Sequence, residues 1–144
     1  VISDYGKGFL PEDRMKEIIE SFNGPVFVDT KKRKLYHRDN VFYKINKKEY
    51  DLLEKHEDMP HDTHMIVTMG SAGARWAGIT FMLESQVKVY DVTGAGDTFL
   101  AALVKRHLET KDLQVSIDYA NRAAAMSVQH PGVYTLTQND IGQL

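Results

Sequence analysis

The sequence predicts an α/β fold built on a largely parallel sheet. The apolar run Val26-Phe27-Val28 and the stretch Met65 to Met69 read as strands buried on both faces, as parallel sheets require. Stretches with helical spacing of apolar residues alternate with them, and Gly, Pro and Asn punctuate the boundaries. Residues 1–144 are read as one domain, because a chain of this length buries a real core and is too short to expect two.

Taken in order, Val1 to Ser3 read as the end of a strand entered partway along, and the chain starts without methionine. The expectation is therefore the second half of a larger domain. Pro11 suits the first turn of a helix, which Met15, Ile18, Ile19 and Phe22 continue at helical spacing. Asn23-Gly24-Pro25 stops it. Residues 30–40 are polar and basic and read as irregular or weakly helical. Val41 to Ile45 is the next strand, and Asn46 caps a helix carrying Tyr50, Leu52 and Leu53. His56 to His64 reads as a polar loop. Beyond Gly70, the segments Arg75–Gly78, Thr80–Leu83 and Val87–Tyr90 read as short antiparallel strands. A helix follows from Ala95 to Leu108, where Leu100, Leu103, Val104 and Leu108 form an apolar stripe. A second runs from Gln114 to Gln129 and ends at His130-Pro131-Gly132, and a last helix begins near Thr137.

Composition excludes several function classes. With 42% hydrophobic and 26% charged residues and a net charge of −2, there is no dominant basic field for nucleic acid. The basic cluster Lys31 to Lys34 reads as a solvated loop. The absence of cysteine removes disulfide and thiolate chemistry and is compatible with a reducing cytoplasm, the expected location. No apolar run approaches the ~20 residues that span a bilayer, so no membrane partner is expected. The histidines of residues 56–64 match no standard metal spacing.

The chemistry concentrates in Gly94-Ala95-Gly96-Asp97, between a strand ending near Val92 and the helix of residues 95–108. Glycines there let the backbone turn sharply and uncover N–H groups at the positive end of the helix dipole, which makes an anion hole. Asp97 is the odd element. A carboxylate in the first turn stabilises the dipole by about 0.3–1 kcal/mol, and that role is common. Beside an anion site, however, it also repels the ligand, and accepting a proton from an attacking hydroxyl is a task that would justify it.

The nine residues 91–99, DVTGAGDTF, resemble the second signature of the PfkB, or ribokinase-like, carbohydrate kinases. Asn46-Lys47-Lys48-Glu49 is similar to that family's NxxE motif, TMGSAG at 68–73 to its T-x-G-x-x-G stretch, and residues 120–132 to the helix and loop that close over adenine. The motifs occur in the family's order, from residue 46 to residue 132. The resemblance implies a ribokinase-like three-layer α/β/α fold with a mostly parallel sheet, of which the N-terminal part and lid are missing here. It also implies ATP and Mg²⁺ as cofactors, a sugar or sugar phosphate as substrate, and a homodimer in the full-length protein. Asp97 becomes the catalytic base, and the N–H groups of Gly94, Ala95, Gly96 and Asp97 the anion hole. Asn46 and Glu49 act on Mg²⁺, Glu49 through water. Thr68, Gly70, Asn121 and Ala124 adjoin the nucleotide. Asp91 and Thr93, with the loop around Gly132, could hold a monovalent cation such as K⁺.

Each role has a plain alternative. Asn46 and Glu49 equally fit an N-cap with its capping-box partner. Ala124 and Ser127 equally fit close helix packing. A noncatalytic nucleotide-binding module is the rival reading of the whole chain. SDYGKG at 3–8 and VDTKK at 28–32 resemble the branch that phosphorylates heptose 7-phosphate, with departures at Thr30, where Pro is expected, and Lys32, where Gly is common. Lys7 and Lys31 are phosphate contacts by charge, or simply exposed loop lysines.

Overall fold

Four parallel strands form the centre of the fold: β1 (Ile2–Asp4), β2 (Val26–Thr30), β3 (Val41–Asn46) and β4 (Met65–Thr68). They belong to a six-stranded sheet of order β1-β2-β3-β4-β5-β6, completed by β5 (Ala74–Trp76) and β6 (Ile79–Phe81). The computed structural model describes residues 1–83 and 85–144. It contains two compact units, residues 1–69 with 75–80, and residues 70–74 with 81–144.

In the first unit, every residue of β2 is buried. One face of the sheet presents Val26, Val28, Val41, Tyr43, Ile45 and Val67 to a core that α1 (Glu12–Glu20) completes with Met15 and Ile19. Each fully buried aliphatic side chain there stabilises by about 1.5–3 kcal/mol. The opposite face alternates with it and carries Phe27, stacked on Phe42, together with Ile66 and the buried ion pair Asp29–Lys44 at 2.6 Å. Pro11 is the N-cap of α1 rather than part of its first turn. Ile18 and Phe22 keep the helical spacing but face solvent, so the buried stripe is narrower than the sequence suggests.

Residues 31–40 form no regular element, and α2 (Lys47–Asp51) is only five residues long, with Leu52 as its C-cap. The loop 56–64 contains one 3-10 turn, Asp62–His64. β5 and β6 are joined by Ala77-Gly78, both with positive φ, as in a type I′ hairpin turn. Half-buried Trp76 donates its indole N–H to Thr63 O at 2.8 Å.

In the second unit, α3 (Ala95–Thr110) and α4 (Leu113–Ser127) make a helical hairpin. Lys111 turns the chain in the left-handed region, and the Asp112 carboxylate caps α4 by accepting from Val115 N–H. Phe99, Leu100, Ala102 and Leu103 are buried from α3, and Ile117, Ala120 and Ala123 from α4. Leu108, expected in the apolar stripe, is exposed. The short α5 (Gln138–Ile141) starts with a capping box between Thr137 and Asp140. The strand expected at Val87–Tyr90 does not form. The N–H groups of Tyr90 and Asp91 instead donate to Val128 O, a carbonyl left over at the end of α4, so the alternating valines join no ladder. Among the described residues, no helix is long and apolar enough to cross a membrane.

The end of β1 is tied to the end of β2 through a carboxylate. Asp4 accepts from Gly6 N–H at 3.0 Å and from the Thr30 hydroxyl at 2.9 Å, with the Lys32 ammonium 3.4 Å away. Burial raises the Asp4 carboxyl, but these donors outweigh it and hold it below its ordinary 3.8. A carboxyl depressed on folding contributes stability that is complete above its unfolded value and lost as pH falls through the lower folded one. Urea midpoints should therefore fall as pH drops below 3.8, and Asp4→Asn should flatten that acid slope. An Asp4→Asn protein with the wild-type slope would remove Asp4 as its source.

Candidate functional site

Parallel strands aligned in register bring their last residues to one edge of the sheet. Asp4 pairs with Thr30, and Asn46 with Thr68, so the carboxyl ends of β1 to β4 carry a row of polar side chains. Open α/β sheets place ligands at this edge.

In the first unit, the edge holds Asn46, Glu49 and Thr68. Asn46 Oδ1 accepts from Glu49 N–H at 2.9 Å, and Glu49 Oε2 accepts from Asn46 N–H at 2.8 Å, a complete capping box. The local alternative to metal binding is therefore realised in the geometry. The remaining carboxylate oxygen, Oε1, receives the Lys31 ammonium. Burial lowers the Lys31 pKa, but the Glu49 hydrogen bond and charge, with Asp29 and Tyr5, raise it overall, so the side chain stays an ammonium. Lys31 is thus an ion-paired residue rather than a free loop lysine, and Lys32 also bonds Leu10 O at 2.9 Å. Thr68 ends β4, with its hydroxyl 3.4 Å from Ile45 O.

The donors at Asn46 and Glu49 are hard oxygens, which suit Mg²⁺. Among the described residues, no group of three or more His, Asp or Glu side chains could cage a metal ion. An ion at this pair would complete its shell with waters and phosphate oxygens, as Mg²⁺ does in nucleotide sites.

The second unit holds Gly70, the 94–97 turn, Asn121 and Ala124. Gly94 is the N-cap of α3 in the left-handed region (φ 79°), and a Cβ there would lie 3.2 Å from Val133 Cγ1. Thr98 N–H makes the first helical bond, to Gly94 O at 2.9 Å, so the amides of residues 95–97 precede the ladder. Ala95 N–H closes a turn onto Val92 O at 3.2 Å. Asp97 is exposed in the first turn, in a helix long enough to carry a full dipole.

Asp91, Thr93 and Gly132 come together. Asp91 Oδ1 accepts from the N–H and hydroxyl of Thr93 at 2.9 and 2.7 Å, and Oδ2 from Gly132 N–H at 3.0 Å. The Thr93 hydroxyl, then the Thr93 and Gly132 amides, hold the Asp91 carboxyl below its ordinary value.

Asn121 is buried, and its Nδ2 donates to Phe81 O at 3.0 Å, 40 residues away in the chain. Ala124 is half-buried, and the buried Ser127 hydroxyl bonds Ala124 O at 2.8 Å. One residue gains importance only here. Gly73 (φ 83°) lies so close to Phe81 that a Cβ would sit 1.9 Å from Phe81 O and 3.2 Å from Asn121 Nδ2. The sequence signal existed, since Gly73 closes TMGSAG, but it does not say what the glycine must admit.

Gly70 also has positive φ (61°), yet a Cβ there would meet nothing within 4 Å. Gly70→Ala should therefore cost only the left-handed backbone, about 1–2 kcal/mol. Gly73→Ala adds a collision with main chain and should cost about 2–5 kcal/mol. Urea unfolding of the two variants side by side measures the difference, and equal losses would refute the close approach.

A family model described as pfkB family carbohydrate kinase matches residues 41–140. The Bifunctional protein HldE of a Nitratiruptor species is 34% identical over 98% of this chain and 34% of its own length. Phosphofructokinase-2 from Escherichia coli, solved in complex with substrates and products, superposes with a TM-score of 0.72 at 16% identity, over 99% of this chain and 54% of that one. Arabidopsis thaliana ribokinase, complexed with ribose and ATP, gives 0.64 at 23% identity, over 83% and 46%. The chain spans about a third of the length of the curated relatives it matches along nearly all of its own length. These likenesses show the ribokinase-like fold, and with the family match over residues 41–140 they place this chain in the pfkB family of carbohydrate kinases.

Proposed function

We propose that this chain is the catalytic and nucleotide-binding portion of an ATP-dependent kinase that phosphorylates a hydroxyl of a sugar or sugar phosphate. The observation that carries this reading is an exposed carboxylate, Asp97, set in the first turn of α3 among amides that precede the helical ladder. Asp97 takes the proton of the attacking hydroxyl as the phosphoryl group moves onto its oxygen. The N–H groups of Gly94, Ala95, Gly96 and Asp97 stabilise charge on that group, Ala95 sharing its N–H with the Val92 turn. Mg²⁺ supplies neutralisation of the phosphates when bound, and Asn46 and Glu49 are the residues that hold it. Thr68 and Gly70 adjoin the phosphates. Ala124 leaves room beside the base, and Asn121 acts by fixing the Phe81 carbonyl.

Asp91, Thr93 and Gly132 form the monovalent-cation loop, supported by the hydrogen bonds that converge on the Asp91 carboxylate. Heptose 7-phosphate is the favoured acceptor. SDYGKG and VDTKK support this, since both precede the residues matched by the family model yet fall within an HldE alignment that spans the whole of this chain. Thr30, in place of the expected Pro, is used structurally as a donor to Asp4.

Asp97→Asn, made in protein containing this chain, should lower phosphotransfer from ATP by about 10²–10⁴ while leaving nucleotide affinity largely intact. Undiminished turnover would refute Asp97 as the base, whereas nucleotide binding with no turnover in the parent protein would favour a noncatalytic module.

A further inference from the structure

Glu49 has two oxygens with different occupants. Oε2 belongs to the cap of α2, where it accepts from Asn46 N–H. Oε1 takes no part in the cap and meets the Lys31 ammonium instead. Lys31 is fixed by more than this contact. Its N–H donates to Asp4 O at 3.2 Å, and its Cβ lies beneath Gly6, where a Cβ would come within 3.1 Å. The nearby Asp29 carboxylate is already bonded to Lys44 at 2.6 Å. The segments 3–8 and 28–32, which the phosphoryl-transfer chemistry leaves unused, thus deliver one ammonium to one oxygen.

We propose that Lys31 is an internal counter-ion that occupies the metal-facing oxygen of Glu49 and that a divalent cation must displace it. The proposal rests on the reading of Glu49 as a magnesium residue. The ammonium fills the place on that oxygen that a metal-bound water would take, and it repels a divalent ion held there through water. A free ion must therefore expel Lys31 without offering it another partner. An ion carried on a polyphosphate brings anionic oxygens to which the freed ammonium can turn. The site accordingly selects the metal–nucleotide complex over the free metal.

Mn²⁺ alone is the probe, its free concentration read by electron paramagnetic resonance on the 144-residue chain. Lys31→Met should tighten Mn²⁺ binding about three- to fivefold, the scale of a partly exposed ion pair. Lys31→Arg keeps the charge and should bind as the parent does. Glu49→Gln preserves the capping box, because Gln serves at N3 as well as Glu. Added to Lys31→Met, it should abolish the gain, with circular dichroism confirming an unchanged fold. If Glu49→Gln weakens Mn²⁺ binding but Lys31→Met does not strengthen it, or Lys31→Arg behaves like Lys31→Met, the counter-ion role is overturned. If Glu49→Gln has no effect in the Lys31→Met protein, or neither binds Mn²⁺, the assignment of Glu49 to metal fails as well.

Discussion

A parallel sheet buried on both faces constrains everything around it, because polar side chains within it must find partners inside or emerge at an edge. β2 illustrates both outcomes. Asp29 stays within the sheet and is matched by Lys44 directly across from it, as the register requires. One residue later, Thr30 reaches the carboxyl edge and donates to Asp4. The same register carries Asn46 and Thr68 to that edge on β3 and β4. The polar row is thus a consequence of strand pairing rather than of any local preference.

The two units position their candidate site residues by different means. The first uses side-chain hydrogen bonds and charge, as the capping box and Lys31 together satisfy both oxygens of Glu49. The second uses backbone shape. Gly94 turns the chain into α3, and Gly73 lets the Phe81 carbonyl approach to where Asn121 can hold it. Replacing Lys31 therefore alters electrostatics before it alters the fold. At Gly73 or Gly94 the order is reversed, because a side chain there is strained by positive φ and meets neighbouring atoms.

A capping box and a metal pair are not exclusive descriptions of Asn46 and Glu49. The cap uses Asn46 Oδ1 and Glu49 Oε2, which ties both side chains to the junction of β3 and α2. Preorganisation of this kind lowers the ordering cost of a later ligand. In the same way, the two oxygens of Asp91 draw Thr93 and Gly132 together before any ion is considered.

Much of this was legible in the sequence. The parallel strands announce themselves as apolar runs, because burial on both faces allows little else. Asn46 as a cap and the glycine turn before α3 follow from residue type and spacing, since caps and turns are local, whereas the grouping of Asp91 with Gly132, 41 residues apart, came only from the family resemblance. Tertiary structure decided the rest. Val87 to Tyr90 has a strand's alternation, yet its last amide goes to Val128 O, a partner distant in sequence. Leu108 and Ile18 have helical spacing but no core beside them. The Lys31–Glu49 pair and the passage of Phe81 over Gly73 join residues far apart in the chain. Sequence alone determined which local conformations and chemical groups were available; only packing decided which of those groups would meet, because that depends on where the chain returns to itself.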